Sequence, residues 1–158
     1  MSGLSGTQIQ AFLNSHNNNR AGVNPPARSM PSMSWSDDLA TNASNWASQC
    51  VWSHSRTPNV GENLYATSAR MPVGNFDPTT AVNSWGGEKV NYNYNNNSCA
   101  NGQECGHYTQ VVWADSTKVG CGVSNCPSIS GLPWNGGTMV VCQYSPPGNY
   151  IGERPYQT

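Results

Sequence analysis

Six cysteines are the feature of this 158-residue chain that most restricts how it can fold. Their number is even, and no two of them form the Cys-x-x-Cys pair that is typical of zinc and redox sites. The pattern predicts disulfides, which form in oxidising compartments, and we therefore expect a secreted protein. An intracellular protein with free thiols is the alternative. The six are Cys50, Cys99, Cys105, Cys121, Cys126 and Cys142.

The first residues, Met-Ser-Gly-Leu-Ser-Gly, contain neither the basic nor the apolar segment of a signal peptide. A secreted mature chain, with Met1 added or the signal removed, reconciles this start with an oxidised framework. The length predicts one domain over residues 1–158.

The composition excludes two classes of partner. Charged residues make up 9% of the chain and the formal net charge is -1, whereas soluble proteins carry about 25% charged residues. Such a chain lacks the basic surface that nucleic-acid backbones require. No apolar run approaches the roughly 20 residues of a membrane-spanning helix. We expect a monomer that neither binds nucleic acid nor spans a membrane.

Apolar periodicity predicts two helices in the first third of the chain. The first covers residues 7–21 and places Phe12, His16 and Arg20 on one stripe, so we interpret His16 as a core histidine and not as a ligand. The second begins after Ser36, whose side chain can cap it.

Further along the chain, the pattern predicts a long loop followed by a third helix. The loop covers residues 53–76 and contains His54 and Glu62; loops of this length are typical of functional sites or disorder. The helix begins after Asp77 and places Trp85 and Glu88 on one face.

The last third predicts a short helix that begins near residue 106 or 107, followed by strands over residues 118–124 and 138–144. Turn residues between these two runs favour neighbouring antiparallel strands. The mixture of helices and strands indicates a layered fold.

Two long motifs resemble a known family. Gly-His-Tyr-Thr-Gln-Val-Val-Trp at residues 106–113 and Cys-Gln-Tyr-Ser-Pro-Pro-Gly-Asn-Tyr at residues 142–150 resemble the signatures of the CAP superfamily, and the chain is most similar to the pathogenesis-related 1 type. The resemblance implies an α+β fold, a three-layer α-β-α sandwich with a central, mainly antiparallel sheet and three disulfides. The implied pairs are Cys50–Cys126, Cys99–Cys105 and Cys121–Cys142.

The resemblance also implies a cleft that contains His54, Glu62, Glu88 and His107. Imidazoles and carboxylates suit Zn²⁺ or another divalent cation, and they also form an acid–base set. A purely structural polar cluster is the third interpretation. Glu62 and Glu88 are the candidate catalytic residues of a metal-dependent hydrolase, but we favour a binding protein over an enzyme because a catalytic zinc also needs an open position and an activated water.

A third group, Trp85, Tyr92 and Tyr94, resembles the aromatic motif to which sterol binding is ascribed in the family. Rigid amphipathic rings can form a platform for a sterol or another apolar, lipid-like ligand. Core packing is the alternative. The family resemblance implies a defence or antimicrobial role for such a secreted protein.

The tail, residues 146–158, resembles the C-terminal peptide that plant relatives release as a defence signal, with cleavage after Ser145. The alternative is that Tyr150 and Tyr156 attach the chain end to the core. Gly86, Gly87 and the insert-like run 128–137 depart from the plant pattern.

Overall fold

A computed structural model describes residues 3–158, and Met1 and Ser2, with which the predicted domain begins, lie outside the described residues. The centre is a sheet of four strands: β1 (Ser34–Trp35), β2 (Gly61–Thr67), β5 (Lys118–Cys126) and β6 (Gly137–Ser145). Their order is β1-β5-β6-β2. β6 is antiparallel to both β5 and β2, and only the short β1 runs parallel to its neighbour.

Within residues 3–158, four α-helices surround this sheet: α1 (Gly6–Ala21), α2 (Asp37–Ala47), α3 (Pro78–Gly86) and α4 (Gly106–Val111). Side chains alternate along β6, so Val140, Cys142 and Tyr144 belong to the core cluster under α1, α3 and α4, while Met139 and Val141 belong to the cluster under α2. The predicted α-β-α sandwich is thereby confirmed.

Two glycines of β5 allow α2 to lie directly on the sheet. A Cβ atom on Gly120 would lie 2.2 Å from the backbone nitrogen of Ala40, and one on Gly122 would lie 2.4 Å from the Cα of Ser44. Because these neighbours are backbone atoms of a helix, no side-chain rotation can make room. We conclude that the α2 layer requires glycine at both positions.

The three disulfides pair Cys50 with Cys126, Cys99 with Cys105, and Cys121 with Cys142, as the family resemblance implied. The last pair crosslinks β5 and β6 at opposed positions in the register. No helix within residues 3–158 combines the length and the apolar character needed to cross a bilayer.

The structure corrects the interpretation of residues 53–76 as one long loop. Strand β2 lies within this segment, and a 3-10 turn, Val73–Asn75, follows it. The first half of β2, Gly61-Glu62-Asn63, is polar, so its sequence does not show strand periodicity. Pairing with the apolar β6 stabilises it as an edge strand.

The third helix is shorter than the prediction. α3 ends at Gly86, and Glu88 lies in a 3-10 turn, Gly87–Asn91. Two consecutive glycines are poor helix formers, which explains the early end. A further difference is a two-stranded sheet, β3 (Tyr92–Asn93) with β4 (Ser98–Cys99), in the asparagine-rich stretch.

Candidate functional site

His54 and Glu62 form the first imidazole–carboxylate pair. His54 Nδ1 lies 2.8 Å from Glu62 Oε1, and the imidazole is 60% exposed whereas the Glu62 side chain is 7% exposed. Glu62 also accepts hydrogen bonds from the backbone N–H and hydroxyl of Ser55 and from Gln143 Nε2. The sheet therefore fixes the carboxylate, and the carboxylate holds a histidine from the preceding loop.

These contacts shift both protonation equilibria. The hydrogen bond to Glu62 raises the pKa of His54 above its ordinary value, against the opposing effect of burial. Burial alone would raise the pKa of Glu62, but hydrogen bonds from His54, Ser55 and Gln143 outweigh it and hold the pKa below the ordinary value. Each partner thus favours the charged form of the other.

Glu88 and His107 form the second pair. His107 Nδ1 lies 2.7 Å from Glu88 Oε2, and Glu88 Oε1 accepts hydrogen bonds from the backbone N–H groups of His107 and Tyr108, each at 3.0 Å. These N–H groups belong to the first turn of α4 and have no partner within the helix. The imidazole of His107 stacks on Trp85 with 10° between the planes and 6.2 Å between the ring centroids.

The two pairs lie on opposite faces of the edge strand β2. Glu62 points to the α2 face, where Gln143 bonds Asn42 of α2. The adjacent residue, Asn63, points to the other face and donates to the backbone carbonyl of His107 at 3.1 Å. Within residues 3–158, no group of three or more His, Cys, Asp or Glu side chains is arranged to hold a metal ion.

Both imidazoles use the same nitrogen for the carboxylate. With Nδ1 donating to Glu, Nε2 is the remaining metal-binding atom of each ring, and neither Nε2 has a hydrogen-bond partner among the described residues. Carboxylates that bond Nδ1–H in this way orient histidines that bind a metal through Nε2. Each pair therefore presents one imidazole nitrogen without a hydrogen bond, while Glu62 holds the ring of His54 and Glu88 holds the ring of His107.

A cavity of about 250 Å³ lies beside the first pair. His54, Glu62 and Gly61 line one side, and Gln110 of α4 and Asn149 line the other. His107 does not line this cavity, although it lies on the same helix as Gln110.

His16 is fully buried, as we expected for a core histidine. Its Nδ1 lies 2.7 Å from the Phe12 carbonyl, which can only accept, so Nδ1 carries the proton and Nε2 accepts from the Tyr144 hydroxyl at 2.7 Å. The Tyr144 oxygen in turn accepts from Asn63. Burial lowers the pKa of His16 to about 4, so the imidazole stays neutral.

The structure separates the three aromatic residues of the predicted sterol motif. Trp85 is 2% exposed, and its indole N–H donates to the Leu64 carbonyl in the core. Tyr92 and Tyr94 are half-buried and line two cavities, of about 530 Å³ and about 470 Å³. Trp85 lines neither of them.

The end of the tail packs against this tyrosine region. Tyr94 and Tyr156 stack with ring centroids 4.8 Å apart, and the Tyr94 hydroxyl donates to the Tyr156 carbonyl. Arg154 donates to the backbone carbonyls of Tyr94 and Asn95. Tyr156 is 2% exposed, whereas Tyr150 is 54% exposed. Of the two tail tyrosines, Tyr156 attaches the chain end to the core.

Sequence reasoning missed the polar residues that support the first pair. Ser55 and Gln143 bond Glu62, and Asn42 and Thr57 bond each other on the α2 side. Gln143 lies between half-cystine Cys142 and Tyr144 in a strand, so an uncharged polar residue that alternates with core residues was the available signal.

Comparisons with known proteins agree with this architecture. The sequence profile of the Cysteine-rich secretory protein family, CAP, matches residues 13–144. Pathogenesis-related protein 1 of Arabidopsis thaliana is 43% identical over 153 residues, which cover 93% of this chain and 81% of that protein.

Two further similarities differ in coverage. Peptidase inhibitor 16 of Bos taurus is 41% identical over 155 residues, which are 98% of this chain but 32% of that protein. The chain thus spans about a third of the length of peptidase inhibitor 16 from Bos taurus, Mus musculus and Homo sapiens. The crystal structure of NaASP2 with Zn²⁺ matches with a TM-score of 0.77 and 30% identity, covering 99% of this chain and 88% of that one.

Proposed function

Because the chain belongs to the cysteine-rich secretory protein (CAP) family, we propose that it is a secreted, monomeric binding protein whose His54 and His107 bind a divalent cation such as Zn²⁺. The observation that carries this proposal is that Glu62 and Glu88 each hold an imidazole through Nδ1, which leaves Nε2 for the metal. The similar protein NaASP2 was crystallised with Zn²⁺, which supports the choice of metal.

In this proposal, His54 and His107 would supply two protein ligands to the cation. Zinc takes four ligands, so water or a further group would complete its coordination. Bound zinc would supply Lewis acidity, while the residues of this chain keep the two rings in one orientation and one tautomer. Protons compete for the same nitrogens, so the affinity falls as the pH decreases.

Isothermal titration with ZnCl₂ at pH 7 tests this proposal. We expect saturable binding that is lost in His54→Ala and in His107→Ala. Binding should persist in His16→Gln, a control that changes the buried third histidine. Absence of zinc-dependent heat in the folded wild-type protein contradicts the proposal.

A sterol or another apolar ligand at Tyr92 and Tyr94 is the second function, and the larger cavity supports it. Pro25, Val90 and Ala100 give that cavity apolar surface beside the two tyrosines, and Val90 is 82% exposed. Apolar surface beside rigid rings suits a flat ligand. A defence or antimicrobial role would follow from such binding.

Equilibrium binding of radiolabelled cholesterol tests the tyrosine location. We expect weaker binding in Tyr92→Ala and unchanged binding in Tyr150→Ala, because Tyr150 is exposed and lines neither tyrosine cavity. Tyr92→Ala is a better probe than Trp85→Ala, since removal of a buried tryptophan costs about 3–5 kcal/mol of stability. Equal binding by both tyrosine variants excludes this site.

Two alternatives remain testable. A metal-dependent hydrolase that uses Glu62 and Glu88 would lose turnover in the double alanine variant, whereas a binding protein would keep its affinity for cholesterol. The precursor of a signalling peptide would release residues 146–158, which mass spectrometry of the surrounding fluid would detect. Release must also break the contacts of Arg154 and Tyr156 with Tyr94.

A further inference from the structure

The cavity of about 470 Å³ shares Asn24, Tyr92 and Tyr94 with the cavity of about 530 Å³. It lies between the C-terminal end of α1, α3 and the start of β3. Asparagines supply much of its lining, with Asn18 and Asn83 on the two helices and Asn24 on the loop after α1. Among the described residues, Lys89 is the one charged residue of the lining.

The rim of this cavity presents polar groups without protein partners. The side-chain amides of Asn18, Asn24 and Asn83 make no hydrogen bond within residues 3–158, and each of the three residues is exposed. Each amide offers two donor hydrogens and an acceptor oxygen. A sterol would cover these groups without bonding them, at a cost of about 1–3 kcal/mol for each buried and unsatisfied group. The rim therefore favours a ligand that carries many hydroxyl groups.

The floor of the cavity is aromatic. Tyr92 and Tyr108 are in contact, with ring centroids 5.9 Å apart and 48° between their planes, and Tyr94 completes the lining. The Tyr108 hydroxyl has no hydrogen-bond partner among the described residues, although the residue is only 6% exposed. Aromatic faces pack against the C–H face of a pyranose ring, and phenol hydroxyls bond at its edge.

The wall between the helices is fixed in place. Asn19 donates from its side chain to the Ser15 carbonyl, and a Cβ atom on Gly86 would lie 2.2 Å from Asn19 Oδ1. Glycine at position 86 therefore lets α3 approach α1. Asn18 and Asn83 are held on these two neighbouring helices, so little ordering is needed when a ligand binds.

We infer that this cavity binds a saccharide. The tyrosine floor receives the sugar ring, the amides of Asn18 and Asn83 bond its hydroxyls, and Lys89 adds a charge-assisted bond to an acidic sugar. Acidic saccharides should therefore bind more tightly than neutral saccharides of equal length. This inference does not depend on zinc binding or on sterol binding.

Titration with two trisaccharides tests the inference, with neutral cellotriose and acidic trigalacturonate as probes and calorimetry as the readout. We expect saturable binding of both, tighter for trigalacturonate. Asn18→Ala and Asn83→Ala should each weaken binding about tenfold, the effect of one lost hydrogen bond. Lys89→Met should weaken only the binding of trigalacturonate.

Asn45→Ala is the matched control, since Asn45 is an exposed helical asparagine on α2, outside this cavity, and its side chain makes no hydrogen bond among the described residues. Its binding should equal that of the wild type. The inference is overturned if neither trisaccharide binds the folded wild-type protein, or if Asn18→Ala and Asn83→Ala bind as the wild type does. Equal losses in Asn45→Ala also overturn it. Because none of these variants changes His54, His107 or the larger cavity, the result is independent of the zinc and cholesterol experiments.

Discussion

The two imidazole–carboxylate pairs share the same central contact but have different supports. In the first pair, the sheet holds Glu62, and His54 comes from a loop and is 60% exposed. In the second, Glu88 lies in a turn and bonds the first N–H groups of α4, while His107 is 30% exposed and stacks on Trp85. In the first pair only the carboxylate of Glu62 is buried and held by several hydrogen bonds. In the second pair hydrogen bonds hold Glu88 and ring stacking holds His107.

Because their supports differ, the two glutamates should contribute unequally to folding stability. Removing Glu62 takes an acceptor from Gln143, which is fully buried in the sheet, whereas removing Glu88 leaves N–H groups at the partly exposed start of a helix. Equal effects on zinc affinity can therefore accompany unequal effects on folding. Four measurements address this separation.

The largest effect should come from Glu62→Ala. The variant removes the acceptor for Ser55, His54 and the fully buried Gln143, so we expect a loss of about 3 kcal/mol in the free energy of unfolding. Urea denaturation at pH 7 measures it. Glu104→Ala, which changes an exposed carboxylate without a hydrogen bond among the described residues, is the control. A loss as small as that of the control would show that Glu62 does not anchor its surroundings.

Glu88→Ala should follow with about 2 kcal/mol. It removes the acceptor for two N–H groups of α4, and water can replace part of what is lost because Gly106 is exposed. Both glutamate variants should weaken zinc binding by about 10–100-fold, as loss of a residue that orients a metal ligand does. A larger loss of stability in Glu88→Ala than in Glu62→Ala would reverse the ranking of the two anchors.

Among the histidine variants, the one in the second pair should lose more stability than the one in the first pair, the reverse of the order for the glutamates. His107→Ala should cost about 1 kcal/mol because it removes the ring stacked on Trp85. His54→Ala should cost less than about 1 kcal/mol, the range of exposed ion pairs. Thermal unfolding of both variants measures the difference, and equal melting temperatures would contradict it.

The smallest effect concerns pH. The raised pKa of His54 stabilises the fold below the ordinary pKa of 6.5 and ceases to do so as the pH rises through the raised value. The lowered pKa of Glu62 stabilises it above the ordinary pKa of 4.5 and ceases to do so as the pH falls through the lowered value. The contribution is thus complete between 4.5 and 6.5.

We therefore expect His54→Ala to lose more stability at pH 5.5 than at pH 8.5. The difference should stay below about 1 kcal/mol because solvent screens the exposed imidazole. Urea denaturation at both pH values measures it. A variant that is destabilised more at pH 8.5 would indicate that the ion pair does not contribute.

Much of the fold was predictable because local signals coincide with its elements. Ser36 caps α2 and Asp77 caps α3, as the sequence predicted. α1 begins at Gly6, one residue before the prediction, because Ser5 and Gln8 form a capping box. β5 and β6 contain the two predicted strands and extend beyond them.

The missed elements depend on distant partners. β1 has two residues and pairs only with β5, and β2 is polar where Glu62 and Asn63 lie, so neither shows a local periodicity. The grouping of His54 with Glu62 and of His107 with Glu88 came from the family resemblance. Residues 8 and 19 positions apart in the chain meet through tertiary packing, which composition and spacing do not encode.

The hydrogen bonds from Asn63 to Tyr144 and from Tyr144 to His16 have a fixed direction, because the His16 Nδ1 proton is committed to the Phe12 carbonyl. The hydroxyl proton of Tyr144 is thereby confined inside a fully buried part of the molecule. Exchange of this proton with deuterium then requires this buried region to open, and its rate reports the free energy of that opening at a single atom.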